Sequence, residues 1–172
     1  MRPVEMFRFC PRCGAGRAAE NAGRGPLRCG GCGLVFYFNP AVAAAAWVFD
    51  PAGRVLLVRR AHDPAKGKFG LPGGFVEVGE TAEAALRREV REEVGLEITG
   101  VAFLASFPNL YAFRDVTYPV LDLVFTATAV APETAQSLDG VAGLAWHAPA
   151  AIDPADLAFP SMTVSLKLLV GG

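Results

Sequence analysis

Three glutamates stand at spacing i, i+3 and i+4 in the segment GFVEVGETAEAALRREVREEVGL: Glu89, Glu92 and Glu93. A helix from Ala82 to Val94 would place them in one sector of its surface, with Glu93 bordering an apolar stripe. Carboxylates crowded beside an apolar stripe repel one another unless a cation compensates, and their hard oxygen atoms suit magnesium or manganese. The residues alone leave a second interpretation open, a solvated charged face that pairs with neighbouring arginines.

Four cysteines form two CxxC pairs with fifteen residues between them: Cys10, Cys13, Cys29 and Cys32. Two such turns point four thiolates at one centre, which predicts a tetrahedral zinc site. Four protein ligands leave no open position on the metal, so we expect a structural ion rather than a catalytic one. The alternatives are two disulfides, which a reducing compartment disfavours, or four unrelated thiols. The same sulfur cage could hold iron instead of zinc.

The elements that must position these groups follow from the hydrophobic pattern and the turn residues. Thr81 is a good N-cap and Gly95 a good C-cap, so the glutamate helix is expected between them. Residues 61–80 are rich in glycine and proline and predict a long loop. Strands are predicted at 41–49, 54–60, 98–106, 117–130 and 144–147, with a turn at 50–53 and a helix after Ser161.

The chain divides into two parts at Asn39–Pro40, because all four cysteines lie in residues 1–38, whereas the residues from about 39 onward are apolar and form strand-like and helix-like segments in turn. We therefore expect a zinc ribbon at 1–38 and a larger domain at 39–172. The composition is 52% hydrophobic and 19% charged, which is typical of a globular protein. The net charge of −1 provides no overall basic field for nucleic acid or an acidic membrane.

The N-terminal sequence MRPVEMFRFC lacks the apolar run of a secretion signal. The longest apolar run, Ala41–Phe49, is nine residues long, against the roughly 20 that a spanning helix needs. We therefore expect no membrane span and a cytoplasmic protein with reduced cysteines.

The glutamate segment resembles the Nudix box of the Nudix hydrolases, whose pattern is GX5EX7REUXEEXGU with U apolar. Every fixed place agrees: Gly74, Glu80, Arg88, Glu89, Val90, Glu92, Glu93, Gly95 and Leu96. The cysteine-rich N-terminus resembles the four-cysteine ribbon of a bacterial subgroup of that family. The resemblance implies the fold class α/β, as an α/β/α sandwich around a mixed β-sheet, preceded by a small zinc ribbon.

The resemblance also implies roles for single residues. Glu89, Glu92 and Glu93 would hold magnesium, and the backbone at Gly73 and Gly74 would pass close to the metal and the phosphates. Arg88 would orient the glutamates, and Glu80 would support the loop before the helix. Glu89 is the first choice for the general base that takes a proton from the attacking water.

The implied reaction is magnesium-dependent hydrolysis of a nucleoside diphosphate linked to another moiety, with ADP-ribose or another ADP-linked compound as the expected substrate. Phe107, Tyr111 and Tyr118 could stack on a base, or they pack the core instead. Asp139 could fill the place of an acidic residue that many family members carry before a tryptophan strand. A histidine that follows a core tryptophan, as His147 does, is more often structural.

A rival interpretation is a non-catalytic module that senses nucleotides through the second domain or binds RNA through the ribbon. The ribbon is basic because of its arginines: Arg2, Arg8, Arg12, Arg17, Arg24 and Arg28. The intact box favours catalysis over this alternative. We also expect a homodimer, because a chain of this hydrophobicity must cover much apolar surface.

Overall fold

The structure is a computed structural model that describes residues 1–17 and 25–171 and forms two compact units. The first unit comprises Met1–Pro40 and Leu110–Pro119, and the second comprises Ala41–Asn109 and the chain from Val120 onward. Arg24, one of the arginines of the predicted basic ribbon, lies outside the described residues. No helix in the described ranges is long and apolar enough to cross a membrane.

The first unit is small and carries little regular structure. It contains α1 (Pro3–Met6) and an antiparallel pair, β1 (Leu27–Arg28) and β2 (Val35–Phe36). Leu27 is buried, and three phenylalanine rings pack on one another with centroids 5.1–5.3 Å apart: Phe7, Phe36 and Phe38. A core of this size is too small to stabilise forty residues alone, which fits the need for a metal or other cross-link.

The second unit is built on a mixed sheet. Its elements are β3 (Ala41–Phe49), β4 (Val55–Arg60), β5 (Phe69–Gly70), β6 (Gly73–Phe75), α2 (Ala82–Val94), the greater parts of β7 (Ile98–Phe113) and β8 (Val116–Ala129), β9 (Val141–His147) and α3 (Pro160–Val170). The strand order is β5-β4-β3-β8-β7, with β6 also paired to β3 and β9 to β4. Strands β3 and β8 run parallel, whereas β4 pairs antiparallel with β3, β5 and β9.

Alternation along β3 sends its side chains to opposite faces of the sheet. Ala44, Ala46 and Val48 pack against the apolar stripe of α2, which consists of Leu86, Val90 and Val94. Trp47 faces the other way, into a cluster with Met162 and Leu166 of α3. Helices therefore cover both faces of the sheet, and the predicted α/β/α sandwich is confirmed.

Helix α2 has the predicted boundaries because both caps form. The hydroxyl oxygen of Thr81 accepts a hydrogen bond from the N–H of Ala84 at 3.2 Å. Gly95 has a φ of 69°, a left-handed conformation that favours glycine, and its N–H donates to the carbonyl of Arg91. The predicted strand at 41–49 is also confirmed, as is the hairpin turn that follows it.

Two predicted features are wrong. The segment 61–80 is not one loop, because β5 and β6 lie within it, and β6 pairs Gly73–Phe75 with Ala43–Ala45. A strand that begins with two glycines has no apolar alternation to reveal it. The strand predicted to end at residue 106 continues to Phe113, since Pro108 reads as a break but is tolerated in an edge strand.

Candidate active site and four-cysteine centre

Arg88 is the centre of the carboxylate cluster on α2. Its Nε and Nη2 atoms donate to the two oxygens of Glu80 at 2.9 and 3.0 Å. Its Nη1 donates to Glu89 at 2.8 Å and to Glu92 at 3.1 Å, and Nη2 also donates to the backbone carbonyl of Phe75. One planar guanidinium thus holds three carboxylates and the end of β6, which a lysine could not do.

Glu80 lies in the loop before α2 and is the first carboxylate of the cluster around Arg88 along the chain. The hydrogen bonds from Arg88 lower the pKa of Glu80 below its usual value, and the N–H of Glu77 acts in the same direction. Glu80 is therefore held as a carboxylate that anchors the arginine. Glu92, by contrast, is an exposed member of the cluster.

Glu93 is the carboxylate nearest the core. Burial raises the pKa of Glu93 to about 8, against the hydrogen bond that its Oε2 accepts from the N–H of Gly73 at 2.9 Å. The charges of Glu89 and Asp139 raise this pKa further, and the guanidinium of Arg60 lowers it. A cation would stabilise a partly buried carboxylate that has two acidic neighbours.

Two glycines allow the backbone to pass next to these carboxylates. A Cβ atom at Gly74 would overlap the carboxylate of Glu89, and a Cβ atom at Gly73 would overlap the backbone of Ala44 and Ala45. Gly73 also has a φ of 143°, which side chains rarely adopt. Gly74 is therefore required by the position of Glu89, and Gly73 by the close approach of β6 to β3.

The loop after β8 closes the C-terminal end of α2. The N–H groups of Gln136 and Leu138 donate to the carbonyls of Val94 and Glu93 at 3.0 and 2.9 Å. Asp139 follows, with its N–H 3.4 Å from the carbonyl of Glu92. These bonds satisfy carbonyls that a helix end leaves without partners, and they bring the charge of Asp139 to act on Glu93.

Arg60 is a site residue that the sequence did not single out. It ends β4, its Nε donates to the carbonyl of Pro64 at 2.8 Å, and its guanidinium lies 5.2 Å from the centre of the Phe159 ring. Its charge acts on Glu93, so a cation stands beside the carboxylate cluster. One feature of the sequence could have indicated Arg60. It is the second of two arginines at the end of a predicted strand, just before a Gly-rich loop.

The aromatic residues predicted to stack on a base are divided between the two units. Phe107 is half-buried and packs against the apolar cluster on the α3 side of the sheet. Tyr111 and Tyr118 belong to the first unit, where Tyr118 is 38% exposed. His147 is half-buried beside the ring of Phe69, with its Nε2 atom buried and without a hydrogen-bond partner among the described residues.

The four cysteines converge as their spacing predicts. Their sulfur atoms all lie within 4.8 Å of one another, with Cys10 and Cys32 at 3.7 Å and Cys13 and Cys29 at 3.6 Å. Sulfurs bound to zinc at about 2.3 Å in a tetrahedron would be ~3.8 Å apart, whereas disulfide sulfurs are about 2.05 Å apart. The cysteines are free thiols placed to hold a metal ion.

The backbone around Cys29 favours its thiolate form. The N–H groups of Cys32 and Gly31 lower the pKa of Cys29 to about 6.

Among the described residues, no three carboxylate groups bring oxygens as close together as these four sulfurs. Magnesium does not require such a cage, because it is commonly held by one or two carboxylates together with water and substrate phosphates.

Comparison with known proteins agrees with this geometry. The family model described as NUDIX domain matches residues 39–167. An ADP-ribose pyrophosphatase from Methanocaldococcus jannaschii is 38% identical over 99 residues, which cover 56% of each chain. A NAD-capped RNA hydrolase NudC from Pseudomonas aeruginosa is 31% identical over 151 residues, or 86% of this chain and 50% of the relative.

The chain therefore spans about half the length of these two relatives. Among solved structures, a NUDIX hydrolase from Nitrosomonas europaea has a TM-score of 0.69 and 25% identity, covering 94% of this chain and 89% of that one. The family model covers most of the chain, and its range contains the carboxylate helix, Gly73, Gly74 and Arg60. The chain belongs to the Nudix family.

Proposed function

We propose that the chain is a magnesium-dependent hydrolase that cleaves a diphosphate linkage in a nucleoside diphosphate joined to another moiety. The observation that carries this proposal is the position of two carboxylates, Glu89 and Glu93, beside the backbone of Gly73 and Gly74. Manganese could replace magnesium, since both prefer oxygen ligands. The expected substrate is ADP-ribose or another ADP-linked compound, and the similarity to an ADP-ribose pyrophosphatase from Methanocaldococcus jannaschii supports this expectation.

In this proposal Glu89, Glu92 and Glu93 hold the metal, together with the backbone at Gly73. Magnesium, when bound, neutralises the diphosphate oxygens and makes the attacking water more acidic. Arg88 keeps the glutamates in place through its five hydrogen bonds, and Glu80 keeps Arg88 in place. Arg60 supplies a positive charge where phosphate oxygens would approach the cluster.

Glu89 remains our first choice for the general base. One of its oxygens accepts a hydrogen bond from Arg88, and its Oε2 has no protein donor among the described residues. That second oxygen can accept the proton while the first keeps the side chain oriented. Water then attacks phosphorus, and the bond between phosphorus and the bridging oxygen of the diphosphate breaks.

The proposal is tested by a screen of nucleotide diphosphate compounds with magnesium present and with the products identified. We expect release of a mononucleotide from at least one ADP-linked compound, and loss of this activity when magnesium is left out. Binding of the same compounds without any product would instead support the nucleotide-sensing alternative. That result would overturn the catalytic proposal, provided that protein with intact Glu89 and Glu93 was used.

We further propose zinc as the ion of the four cysteines, a cytoplasmic location that keeps them reduced, and a homodimer. Zinc is supported by the sulfur distances, which match a tetrahedral zinc–thiolate centre. Dimer formation is supported by the character of β7. This edge strand of the sheet, Ile98–Phe113, contains no charged residue over its sixteen positions.

A further inference from the structure

The ribbon carries a positive charge that the rest of the chain does not share. The first forty residues contain six arginines and two glutamates, with no lysine and no aspartate, in a chain whose net charge is −1. A zinc ion with four thiolates would remove only part of this excess. The hydrolysis proposed above uses none of these arginines, so their concentration needs another explanation.

The arginines of the ribbon differ in their partners. Arg2 forms an ion pair with Glu5 at 2.7 Å. Arg8 and Arg12 are exposed, and within the described ranges neither has a carboxylate at ion-pair distance. Two exposed guanidinium groups that bond to no acidic side chain are available for an anionic ligand.

A shallow cavity adds to this surface beside the cysteine centre. It is lined by Arg17 and Arg28 and by the backbone of Gly16, Gly30 and Gly31. Arg28 pairs with Val35 across the small sheet, so strand alternation places both on the face opposite the buried Leu27. The cavity therefore has two arginine residues in its lining beside glycine backbone that a phosphate can approach closely.

Two aromatic side chains of the ribbon are exposed although an aromatic core is available next to them. Phe9 is 64% exposed and Tyr37 is 62% exposed, whereas Phe7, Phe36 and Phe38 pack on one another. Phe9 lies directly after Arg8 and opposite Gly16, which has no side chain to cover the ring. Exposed rings next to exposed arginines form a surface suited to stacking on a base.

We propose that the ribbon binds single-stranded nucleic acid, with Phe9 and Tyr37 stacking on bases. Arg8, Arg12 and Arg28 neutralise phosphates of the same strand. A single strand fits better than a duplex, because only unpaired bases offer their faces to these rings. A membrane surface fits less well, because α1 has four residues and gives no amphipathic helix to insert.

The test is fluorescence anisotropy with the full chain, zinc-loaded and in magnesium-free buffer. The probes are a labelled 15-nucleotide RNA, a DNA strand of the same sequence and the corresponding duplex. We expect both single strands to bind at least about fivefold more tightly than the duplex. The logarithm of affinity should fall with the logarithm of salt concentration with a slope near −2, since three phosphate contacts contribute about 0.7 each.

The affinities for the RNA strand and the DNA strand are then compared, to decide whether the site prefers RNA or binds any single strand. Tighter binding of RNA assigns the site to RNA through its 2′-hydroxyl groups, and equal binding assigns it to single strands of either kind. Binding of the duplex as tightly as the single strands overturns the proposal. Salt-independent binding, or binding to anionic phospholipid vesicles but to neither oligonucleotide, also overturns it.

Variants locate the binding on the ribbon. Phe9→Ala and Tyr37→Ala should each weaken binding at least about fivefold, while Phe9→Trp should preserve it. Replacing Arg8 and Arg12 together with glutamine should reduce the salt slope by about 1.4. Arg91→Gln, at an exposed arginine of α2 paired with Glu97, is the matched control and should leave affinity unchanged.

All of these variants should keep the magnesium-dependent hydrolysis of a small substrate, because none alters the carboxylate cluster. Equal weakening by Arg91→Gln and by the ribbon variants would show a non-specific charge effect and overturn the proposal. An inactive enzyme that still binds the single strand through Phe9 would contradict only the proposed hydrolysis. The two proposals can therefore fail separately.

Discussion

Glu89 and Glu93 lie in different environments within the same cluster. Glu89 accepts a hydrogen bond from Arg88, and the partly buried Glu93 accepts one from the backbone N–H of Gly73. We expect Glu89→Gln and Glu93→Gln each to lower turnover at least about a hundredfold without unfolding the protein. The amide keeps the shape of the side chain and removes its negative charge. Steady-state kinetics over a range of magnesium concentrations measures the effect on turnover and on the metal requirement.

The same titration separates the two roles. Excess magnesium should restore part of the activity of Glu93→Gln, which loses only a metal ligand, and very little of that of Glu89→Gln, which also loses the base. Glu83→Gln is the matched control, because Glu83 lies nearly two turns before Glu89 on α2, is exposed and occupies a variable position of the motif. Wild-type rates for both glutamine variants on a good substrate would mean that this helix face is only a salt-bridged surface.

Gly74 offers a steric test of the same site. We expect Gly74→Ala to lower turnover at least about tenfold, because the new Cβ would push the Glu89 carboxylate out of place. Gly143→Ala in β9 is the control, since its Cβ would meet only the Cβ of Arg59, at 4.0 Å. Kinetics combined with thermal unfolding checks the expectation. Equal activity of both variants would show that Glu89 can move without cost.

At the scale of elements, the turn between β3 and β4 depends on one buried carboxylate. Asp50 is 5% exposed, and its oxygens accept hydrogen bonds from the N–H groups of Ala52 and Arg54 and from the Arg54 side chain at 2.7–2.9 Å. Burial raises the pKa of Asp50, but these donors outweigh it and lower the pKa below its usual value. The ionised form is therefore the one that stabilises the hairpin.

We expect Asp50→Asn to lower the free energy of unfolding by about 2 kcal/mol at neutral pH. The folded pKa lies below the unfolded value of about 3.9, so this contribution is complete above about pH 5 and is lost as pH falls through the folded pKa. The difference between wild type and Asp50→Asn should therefore shrink on acidification. Urea unfolding followed by the fluorescence of buried Trp47 measures it, and exposed Asp156→Asn should show no such difference.

The sequence predicts best those elements whose signals are local. Thr81 and Gly95 give the ends of α2 because a cap is decided by neighbouring residues, and the unbroken apolar run of β3 indicates a strand that is buried on both faces. Strand β6 could not be predicted, because Gly73 and Gly74 are selected by contacts with Ala44 and Glu89 that are distant in sequence. Arg60 was missed for the same reason, since only the folded chain brings it near Glu93.

The ribbon is the element whose stability should depend most on a metal. We expect about one zinc ion per chain by elemental analysis of protein purified without chelator, bound by the four cysteines. Cys29→Ser should reduce the zinc content and loosen the ribbon, because a hydroxyl is a poor replacement for a thiolate. Cleavage by a protease near the ribbon would report this loosening. Protein containing neither zinc nor iron would contradict the prediction.

For the molecule as a whole, the open question is what covers the edge of the sheet at β7. Ile98–Phe113 contains no charged residue, and Phe103 on it is 60% exposed. Natural proteins commonly protect an edge strand with charges, and a strand without them can pair with a second copy in antiparallel fashion without charge repulsion. We therefore expect light scattering to give the mass of a dimer at micromolar concentration.

A single charged residue introduced on β7 tests whether this edge strand forms the dimer interface. Ala102→Lys should convert the dimer to a monomer, because a second copy paired with this edge would remove the charged side chain from water. Val130→Lys is the matched control, since Val130 is 61% exposed and lies outside the bounds of β7. A monomer mass for the wild type would contradict dimer formation altogether. A dimer that persists in Ala102→Lys would instead place the interface on another surface, such as the exposed Val164 and Leu168 of α3.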